Sequence, residues 1–530
     1  MFLFLLIMKY TMFVTVEREP YLKRNEFHLR KGVTGLMGPS GCGKTTMMNE
    51  IFRKHDNVGY LSQEAPLFEF LTVKENIQIS LQILGKESES QKMIENMELQ
   101  DCKDTLIKHV SGGEKKRCSI AIEMCNSPDI FLFDEPLSSL DSRTSLSIFH
   151  FIQNKLCHLP VLLSIHQPSG KIFYQLNHLM LMSKGHLIYC GSPSGVENYF
   201  GDIRKIDLYS SVPEYIIDIC QEMTPELLER FHHTETLEPY AIELTPVVPG
   251  GKKLGVFHKA FMCVPLFHRE FLQNLRDPVF FKLRILQTVV FSIFVGILFF
   301  QTENDQIGVQ NKNGALFFIV INQIMSNTFS TIQIFPQSLE TFEYDYRRKK
   351  YPLFNYYLVK TTTDLPFQIF NSALFGVVSV LITAITNHIA EFVITLVVIS
   401  VTAASFGYFV STLSKDTNVS LVITNLMVLP MMLTSGFFMN NDSVPFYIEW
   451  IQYINPFYYG YNALSQIIWK SVEIECETQN VCTYLTGDDV LEYQKISPSG
   501  NDFYILILMA LTYRTLGFCS LFLMNLKRTV

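Results

Sequence analysis

An α/β domain built around a phosphate loop, followed by an all-α domain of six transmembrane spans, is what the 530-residue sequence predicts on three observations. Gly38, Gly43, Lys44 and Thr45 satisfy G-x-x-x-x-G-K-[ST] between the strand-like GVTGLM and the helix-like TTMMNEIF. IFLFDEP, Ile130 to Pro136, is an apolar run of buried-strand character that ends in two carboxylates. Six later stretches are apolar, each near the ~20 residues that cross a bilayer, and the Lys and Arg between them fall on one side.

Composition sets the bounds. The length exceeds what one core holds, so two or more domains are expected. Hydrophobic residues make up 48% and the mean hydropathy is +0.18, with the 43 Phe concentrated beyond about residue 260. The net charge of −7 is modest and no basic run carries interleaved aromatics, which argues against a nucleic-acid partner. Eleven cysteines lack metal-ligand spacing, and those before residue 221 are expected to be reduced thiols. The opening MFLFLLIMKY has no basic leader and no small-residue cleavage site. It reads as a first strand, frayed or buried.

The first domain, residues 1–245, is justified motif by motif. Gly38, Pro39, Ser40, Gly41, Cys42, Gly43, Lys44, Thr45 and Thr46 form a nucleotide-binding P-loop. Its glycines let backbone N–H groups wrap phosphates, Lys44 reaches their outer oxygens and Thr45 ligates Mg²⁺. The strand-like VGYLSQ then leads to Gln63, placed to sense a terminal phosphate. VSGGEKKR, Val110 to Arg117, is a Gly-Gly turn opening a helix, whose free N–H groups suit an anion. In IFLFDEP, Asp134 is placed to hold Mg²⁺ and Glu135 to polarise an attacking water. Taken alone, Ser111 to Gly113 read equally as a surface turn, and His166 in SIHQP as a structural histidine.

In order, VSGGE, DEPLSSLDS and HQPSG resemble an ATP-binding cassette transporter of the G subfamily, the white–brown type of half-transporter, over nearly the whole chain. The resemblance implies ATP and Mg²⁺ as ligands. It makes Gln63 the Q-loop residue, Ser111, Gly112, Gly113 and Glu114 the signature, Asp141 the D-loop aspartate and His166 the switch histidine. Gln63 then joins Thr45 and Asp134 on the metal, and Glu135, His166 and Gln63 are catalytic. Two cassettes sandwich two ATP molecules in this family, so a second half-transporter, identical or not, is an implied partner. Departures are visible. LSSLDS stands where many relatives have TSGLDS. Only 18 residues separate Lys44 from Gln63, roughly half of the family's usual spacing. A glycine-bounded hairpin is missing there; losing a surface hairpin is cheap, but losing a sheet strand would expose an edge. The adenine-stacking aromatic falls to Tyr10, Phe13 or Tyr21.

Residues 246–258, rich in Pro and Gly, read as a linker, and 259–530 as the transmembrane domain. It opens on a mixed apolar and basic segment, either an interfacial helix or an ordinary amphipathic one. Spans are expected at about 283–301, 314–335, 358–384, 390–413, 418–439 and 502–525. Basic residues lie before the first, in YRRKKY, at Lys415 and in the terminal KRTV, which places the cassette and both termini in the cytosol. The loop 440–501 is then extracellular, and Cys476 and Cys482 in it are expected to pair, as a pair there does in relatives. Asn441 begins an N-x-S sequon close to the membrane, and YINPFYYGYNAL suits a re-entrant segment. Glu343 to Tyr357 is the cytosolic turn that relatives dock on the cassette; the ordinary cytosolic excess of Lys and Arg accounts for its charges equally well.

No ionisable residue is read as mid-span, so no ion pathway is expected. Phe329, Phe335, Leu429, Met432, Phe437 and Phe438 would line a central cavity in relatives, or serve span packing. A lipophilic substrate follows, a sterol or other lipid first, with pigment precursors or xenobiotics as alternatives. The membrane is the plasma membrane or that of an intracellular vesicle. A soluble cassette ATPase is excluded by the spans, whereas a catalytically impaired subunit of a heterodimer stays open because of the short connection before Gln63.

Overall fold

The chain, seen here as a computed structural model, forms two compact units, residues 1–255 and 256–530. The structure describes residues 11–18, 22–55, 57–63, 67–138, 140–201, 211–222, 224, 261–300, 302–347, 351–386, 388–414, 416–439, 444–475, 483–496 and 500–529. Tyr10, Tyr21, the linker 246–258, Lys415, Asn441, Cys476 and Cys482 lie outside these residues.

In the first unit β1 (Thr11–Arg18) and β2 (Leu22–Arg30) make an antiparallel ribbon. A six-stranded sheet follows, from β3 (Gly32–Met37), β4 (Val58–Leu61), β5 (Ile130–Phe133), β6 (Pro160–Ser164), β7 (His178–Ser183) and β8 (His186–Gly191). Its order is β4-β5-β6-β3-β7-β8, parallel except for β8 against β7. Both faces are covered, and the period of two shows it. Phe131, Phe133, Val161, Leu163, Leu179 and Leu181 join one core, while Leu132, Leu162, Met180 and Met182 join another beneath the ribbon. The helices are α1 (Lys44–Lys54), α2 (Val73–Ile83), α3 (Gly112–Met124), α4 (Ser142–Leu156) and α5 (Val212–Glu222). Thr72 with Glu75 and Ser111 with Glu114 close capping boxes at α2 and α3, and Asp141 caps α4. Each such cap is worth about 1 kcal/mol.

The short connection after the phosphate loop runs directly from α1 into β4. β4 is the sheet's edge and pairs with β5 from Val58↔Ile130 to Leu61↔Phe133. Phe52 of α1 stacks on Tyr60 of β4 at 5.4 Å, so an aromatic pair fills the joint.

The second unit is helical: α6 (Cys263–Arg276), α7 (Arg284–Leu298), α8 (Gln306–Arg347), α9 (Leu353–Thr363), α10 (Leu365–Thr383), α11 (Ile389–Ser414), α12 (Thr417–Leu433), α13 (Pro456–Trp469) and α14 (Asp502–Thr529). Five helical stretches among the described residues are long and apolar enough to cross a membrane: Phe280–Leu298, Gln306–Tyr346, Leu353–Thr383, Ile389–Ser414 and Asp502–Met524. The fifth expected span, 418–439, falls short. α12 has 17 residues, about 25 Å at 1.5 Å each, and ends at Leu433 just after Pro430. Gly436 at φ +93° and a run of bends follow, so the apolar TSGFF continues without helix. The second expected span, 314–335, is longer in fact, because α8 runs through Pro336 to Arg347.

Charge is buried where the sequence suggested none. Arg269 and Glu270 of α6 are both buried; Arg269 pairs with Asp345 and Glu270 at 3.2 Å, and Lys360 with Glu270 at 3.5 Å. α6 turns this polar face inward and leaves Phe261 and Val264, at its start, exposed. The expectation that no ionisable residue is mid-span is overturned by Arg514, near the middle of the apolar Asp502–Met524, whose Nε donates to Ser405 Oγ at 3.0 Å. A hydropathy window of some twenty residues absorbs one arginine without losing its apolar mean.

Candidate functional site

Four loops leave the carboxyl ends of adjacent parallel strands: Gln63 after β4, Asp134 and Glu135 after β5, His166 after β6 and the phosphate loop after β3. This is the crevice where open α/β sheets bind ligands. Four sequence motifs spread over more than a hundred residues thereby meet at one end of the sheet.

The loop itself is built on glycine. Gly38 stands at φ +153°, and a Cβ on it would lie 2.3 Å from the Met182 carbonyl oxygen and 2.7 Å from Cys42 Sγ. Gly43 at φ +107° opens α1. Lys44 is buried and its Nζ donates to the carbonyls of Gly38 at 2.7 Å and Pro39 at 3.1 Å, so the amine sits inside the curl. Ser40, Gly41 and Thr45 are exposed, Pro39, Gly43 and Thr46 half-buried. Burial pushes the Cys42 thiol up, and neighbouring Lys44 only partly offsets this, which keeps it an inert thiol. A glycine-lined curl with a cation at its mouth fits a polyphosphate.

The carboxylates differ in setting. Asp134 is buried; its Oδ1 accepts from Ser164 Oγ at 2.8 Å, and Tyr60 OH reaches Oδ2 at 3.4 Å. Glu135 stands at φ +48°, rare for a non-glycine residue, and its backbone N–H donates to the same Ser164 Oγ at 2.7 Å. Gln63 Nε2 donates to Glu135 Oε2 at 3.1 Å. Thus Gln63 and Glu135 touch across the β4–β5 edge despite the short connection. The donor set of Thr45, Gln63 and Asp134 is all oxygen, which suits a hard cation such as Mg²⁺. His166 is exposed, two residues beyond Ser164.

The remaining expected residues sit elsewhere in the unit. Ser111 caps α3: its backbone N–H and Oγ both donate to Glu114 Oε2, at 2.8 and 2.7 Å, and these bonds hold the Glu114 carboxyl below its usual range. Ser111 and Gly112 are exposed and Gly113 is buried. Asp141 Oδ2 accepts from the N–H groups of Arg143 and Thr144 at 3.1 Å, and its carboxyl is likewise lowered, first by Thr144. Of the adenine-stacking candidates only the backbone of Phe13 is described, in β1 opposite His28. Of the expected cavity residues, Phe335 is buried against Tyr408 at 5.2 Å and Phe437 stacks on Phe317 at 4.3 Å, while Leu429 and Phe438 are exposed.

Two contacts escaped the sequence. Ser164 joins Asp134 to the Glu135 backbone, and Lys116 Nζ donates to the Gln63 carbonyl at 2.9 Å, tying α3 to the loop after β4. The lysine could have been singled out as the basic residue two places beyond Glu114; nothing local marks the serine.

Comparison with known proteins agrees with this geometry. Residues 50–138 match the family described as ABC transporter, and residues 263–469 the family described as ABC-2 type transporter; together they take in more than half of the chain. Protein white of Drosophila melanogaster is 27% identical across 93% of this chain and 83% of its own. ABC transporter G family member 26 of Arabidopsis thaliana is 24% identical across 95% and 84%. The broad substrate specificity ATP-binding cassette transporter ABCG2 of Bos taurus is 25% identical across 92% and 87%. The chain belongs to the ATP-binding cassette transporters, as a half-transporter of the G subfamily: a multi-pass membrane protein whose ATPase drives export across the bilayer.

Proposed function

We propose that this chain, paired with a second half-transporter, exports a lipophilic molecule, a sterol or other lipid, out of the cytosol. The observation that carries the hydrolytic half is the 3.1 Å bond between Gln63 and Glu135 at neighbouring strand ends. It supports a working site in a chain whose loop-to-glutamine connection is short. Glu135 is the base that draws the proton from water, and Gln63 holds its carboxylate in place. Asp134, fixed by Ser164, would hold Mg²⁺ together with Thr45 and Gln63; the ion neutralises charge on the phosphates when bound. Lys44 and the N–H groups of Gly38 to Thr46 orient the nucleotide, and His166, at the end of β6, senses its terminal phosphate. Ser111, Gly112 and Asp141 are exposed, and Ser111 to Glu114 and Asp141 face the partner's nucleotide, so the site needs two chains. The lipid preference rests on exposed apolar residues such as Leu429 and Phe438.

Glu135→Gln in the full chain, assayed in vesicles, tests this reading. Nucleotide binding should persist while turnover falls about 10²-fold or more. Unchanged turnover would remove Glu135 from the role. Lys44→Ala should weaken ATP photolabelling itself.

A further inference from the structure

One buried hydroxyl stands between the two acidic residues of the nucleotide site. β6 reads PVLLS and is buried throughout, and Ser164, 1% exposed, is its last residue. The strand lies between β5 and β3, so Ser164 comes one residue beyond the Phe133↔Leu163 pair on one side and opposite Leu36, just ahead of the phosphate loop, on the other. A hydroxyl in such a strand is costly unless it is bonded. Both of its bonds go to the site.

A serine hydroxyl has one hydrogen to donate and lone pairs with which to accept. The hydrogen goes to Asp134 Oδ1 at 2.8 Å, and a lone pair takes the backbone N–H of Glu135 at 2.7 Å. A chain of two bonds therefore runs from the Glu135 amide through the hydroxyl to the Asp134 carboxylate, and each bond polarises the other. With Tyr60 OH 3.4 Å from Oδ2, the Asp134 carboxylate is oriented by hydroxyls from β6 and β4, one at each oxygen. Glu135 is held on both sides of its Cα: its N–H by Ser164, and its carbonyl by Ser138, whose N–H and Oγ lie at 3.2 and 2.7 Å. Its φ of +48° is a conformation that a glutamate keeps only where its surroundings hold it.

We infer that Ser164 is a positioning residue for hydrolysis: through one hydroxyl it aims the Asp134 carboxylate at Mg²⁺ and holds the backbone from which Glu135 reaches the attacking water. This rests on the hydrolytic reading above and deepens it, because the metal-holding group and the base become one unit. Loss of the hydroxyl leaves both partners short of a bond.

The test uses the full chain in vesicles, with Ser164→Ala and with Ser164→Cys, which keeps the shape but has only a weak S–H donor. ATP photolabelling is titrated with Mg²⁺, and turnover is measured at saturating Mg²⁺. Labelling in EDTA should match the parent, because Lys44 and the loop amides are intact. The Mg²⁺ midpoint of labelling should rise about tenfold, the range of one hydrogen bond to a charged group. Turnover at saturating Mg²⁺ should stay about 3–10-fold low, because added metal does not restore the support of the Glu135 backbone. A serine that only fills the strand would instead lower the melting temperature and the EDTA labelling together and leave the Mg²⁺ midpoint in place; that pattern overturns the proposal. So does a change in only one of midpoint and turnover, since a shared hydroxyl must move both. Should the alanine variant not fold, the cysteine variant decides alone. Glu135→Gln, run alongside, separates the two levels. Full turnover in that variant defeats the hydrolytic reading itself, whereas low turnover there with parental behaviour of the Ser164 variants defeats the positioning role alone.

Discussion

At the scale of single residues the site depends on backbone shape as much as on ionisable groups. Position 38 requires glycine on two counts: its φ is +153°, and β7 passes so close that any Cβ would meet the Met182 carbonyl at 2.3 Å. Gly38→Ala should therefore cost about 1–3 kcal/mol and open the curl that encloses Lys44. Thermal unfolding should show a lower melting temperature and photolabelling a loss of nucleotide; a variant that melts and labels like the parent would show that the curl tolerates a side chain. Lys116 acts differently, through the Gln63 carbonyl. Lys116→Met should lower kcat about 2–10-fold, one exposed charge-assisted bond, while leaving KM for ATP nearly fixed. A change in KM alone would make the lysine a binding residue instead. The loop residues and both carboxylates were legible because their chemistry fixes residue type and spacing. Ser164 was not, since its contact with Asp134 depends on β5 and β6 being neighbours, and adjacency of strands is a property of the sheet.

At the scale of elements, the direct passage from α1 to β4 is the test of how much the cassette needs between its loop and its glutamine. β4 keeps its register with β5, and Phe52 covers Tyr60, yet β4's outer edge has no strand beside it among the described residues. Inserting a family-length hairpin between Phe52 and Val58 should raise thermal stability and ATP affinity together, by covering an edge without adding a phosphate ligand. Equal melting temperature and equal affinity would mean that the short connection suffices. α12 illustrates the opposite limit. Its sequence reads as a full span because TSGFF is apolar, but apolarity does not specify helix, and Gly436 adopts a left-handed conformation. The helix end is nevertheless satisfied: Asn455, which caps α13, donates to the Met431 carbonyl at 2.6 Å, and Thr434 Oγ1 to that of Pro430 at 3.0 Å. Freed carbonyls in a bilayer need such partners. α6 was legible as amphipathic, but its polarity is reversed relative to a soluble helix, because its charged partners Asp345 and Lys360 lie 76 and 90 residues downstream of Arg269 and Glu270.

At the scale of the whole molecule, the parity of crossings decides where the chain ends. Five spans would put the C-terminus on the side opposite the N-terminal unit; six would put both on one side. α12 is the helix in question. Its 17 residues cover about 25 Å of a ~30 Å hydrocarbon core, and the six apolar or uncharged residues 434–439 that follow, though not helical, are long enough to supply the rest. Thr434 and Ser435 are buried and Asn455, at the cap of α13, donates to Thr434 Oγ1 at 3.2 Å, so the start of this stretch is covered by protein, while Phe438 and Met439 are exposed. Charge agrees with six crossings: Arg347 ends α8 and Arg348, Lys349 and Lys350 come next in sequence, while Lys527 and Arg528 fall at the end of α14, positions that share one side only if α12 crosses. An epitope inserted near Asp488 should accordingly be reached by antibody on intact cells, and a C-terminal tag only after permeabilisation. The reverse pattern, a hidden Asp488 epitope with an exposed C-terminus, would mean that α12 enters and returns, leaving five crossings. Moving Lys527 and Arg528 to Gln is the companion experiment. If basic residues hold the end of α14 in the cytosol, the variant should show a mixed population of tags; if the packing of α14 on α11 holds it, through the bonds of Thr402 to Leu506 and Arg514 to Ser405, the tag should stay inside unchanged.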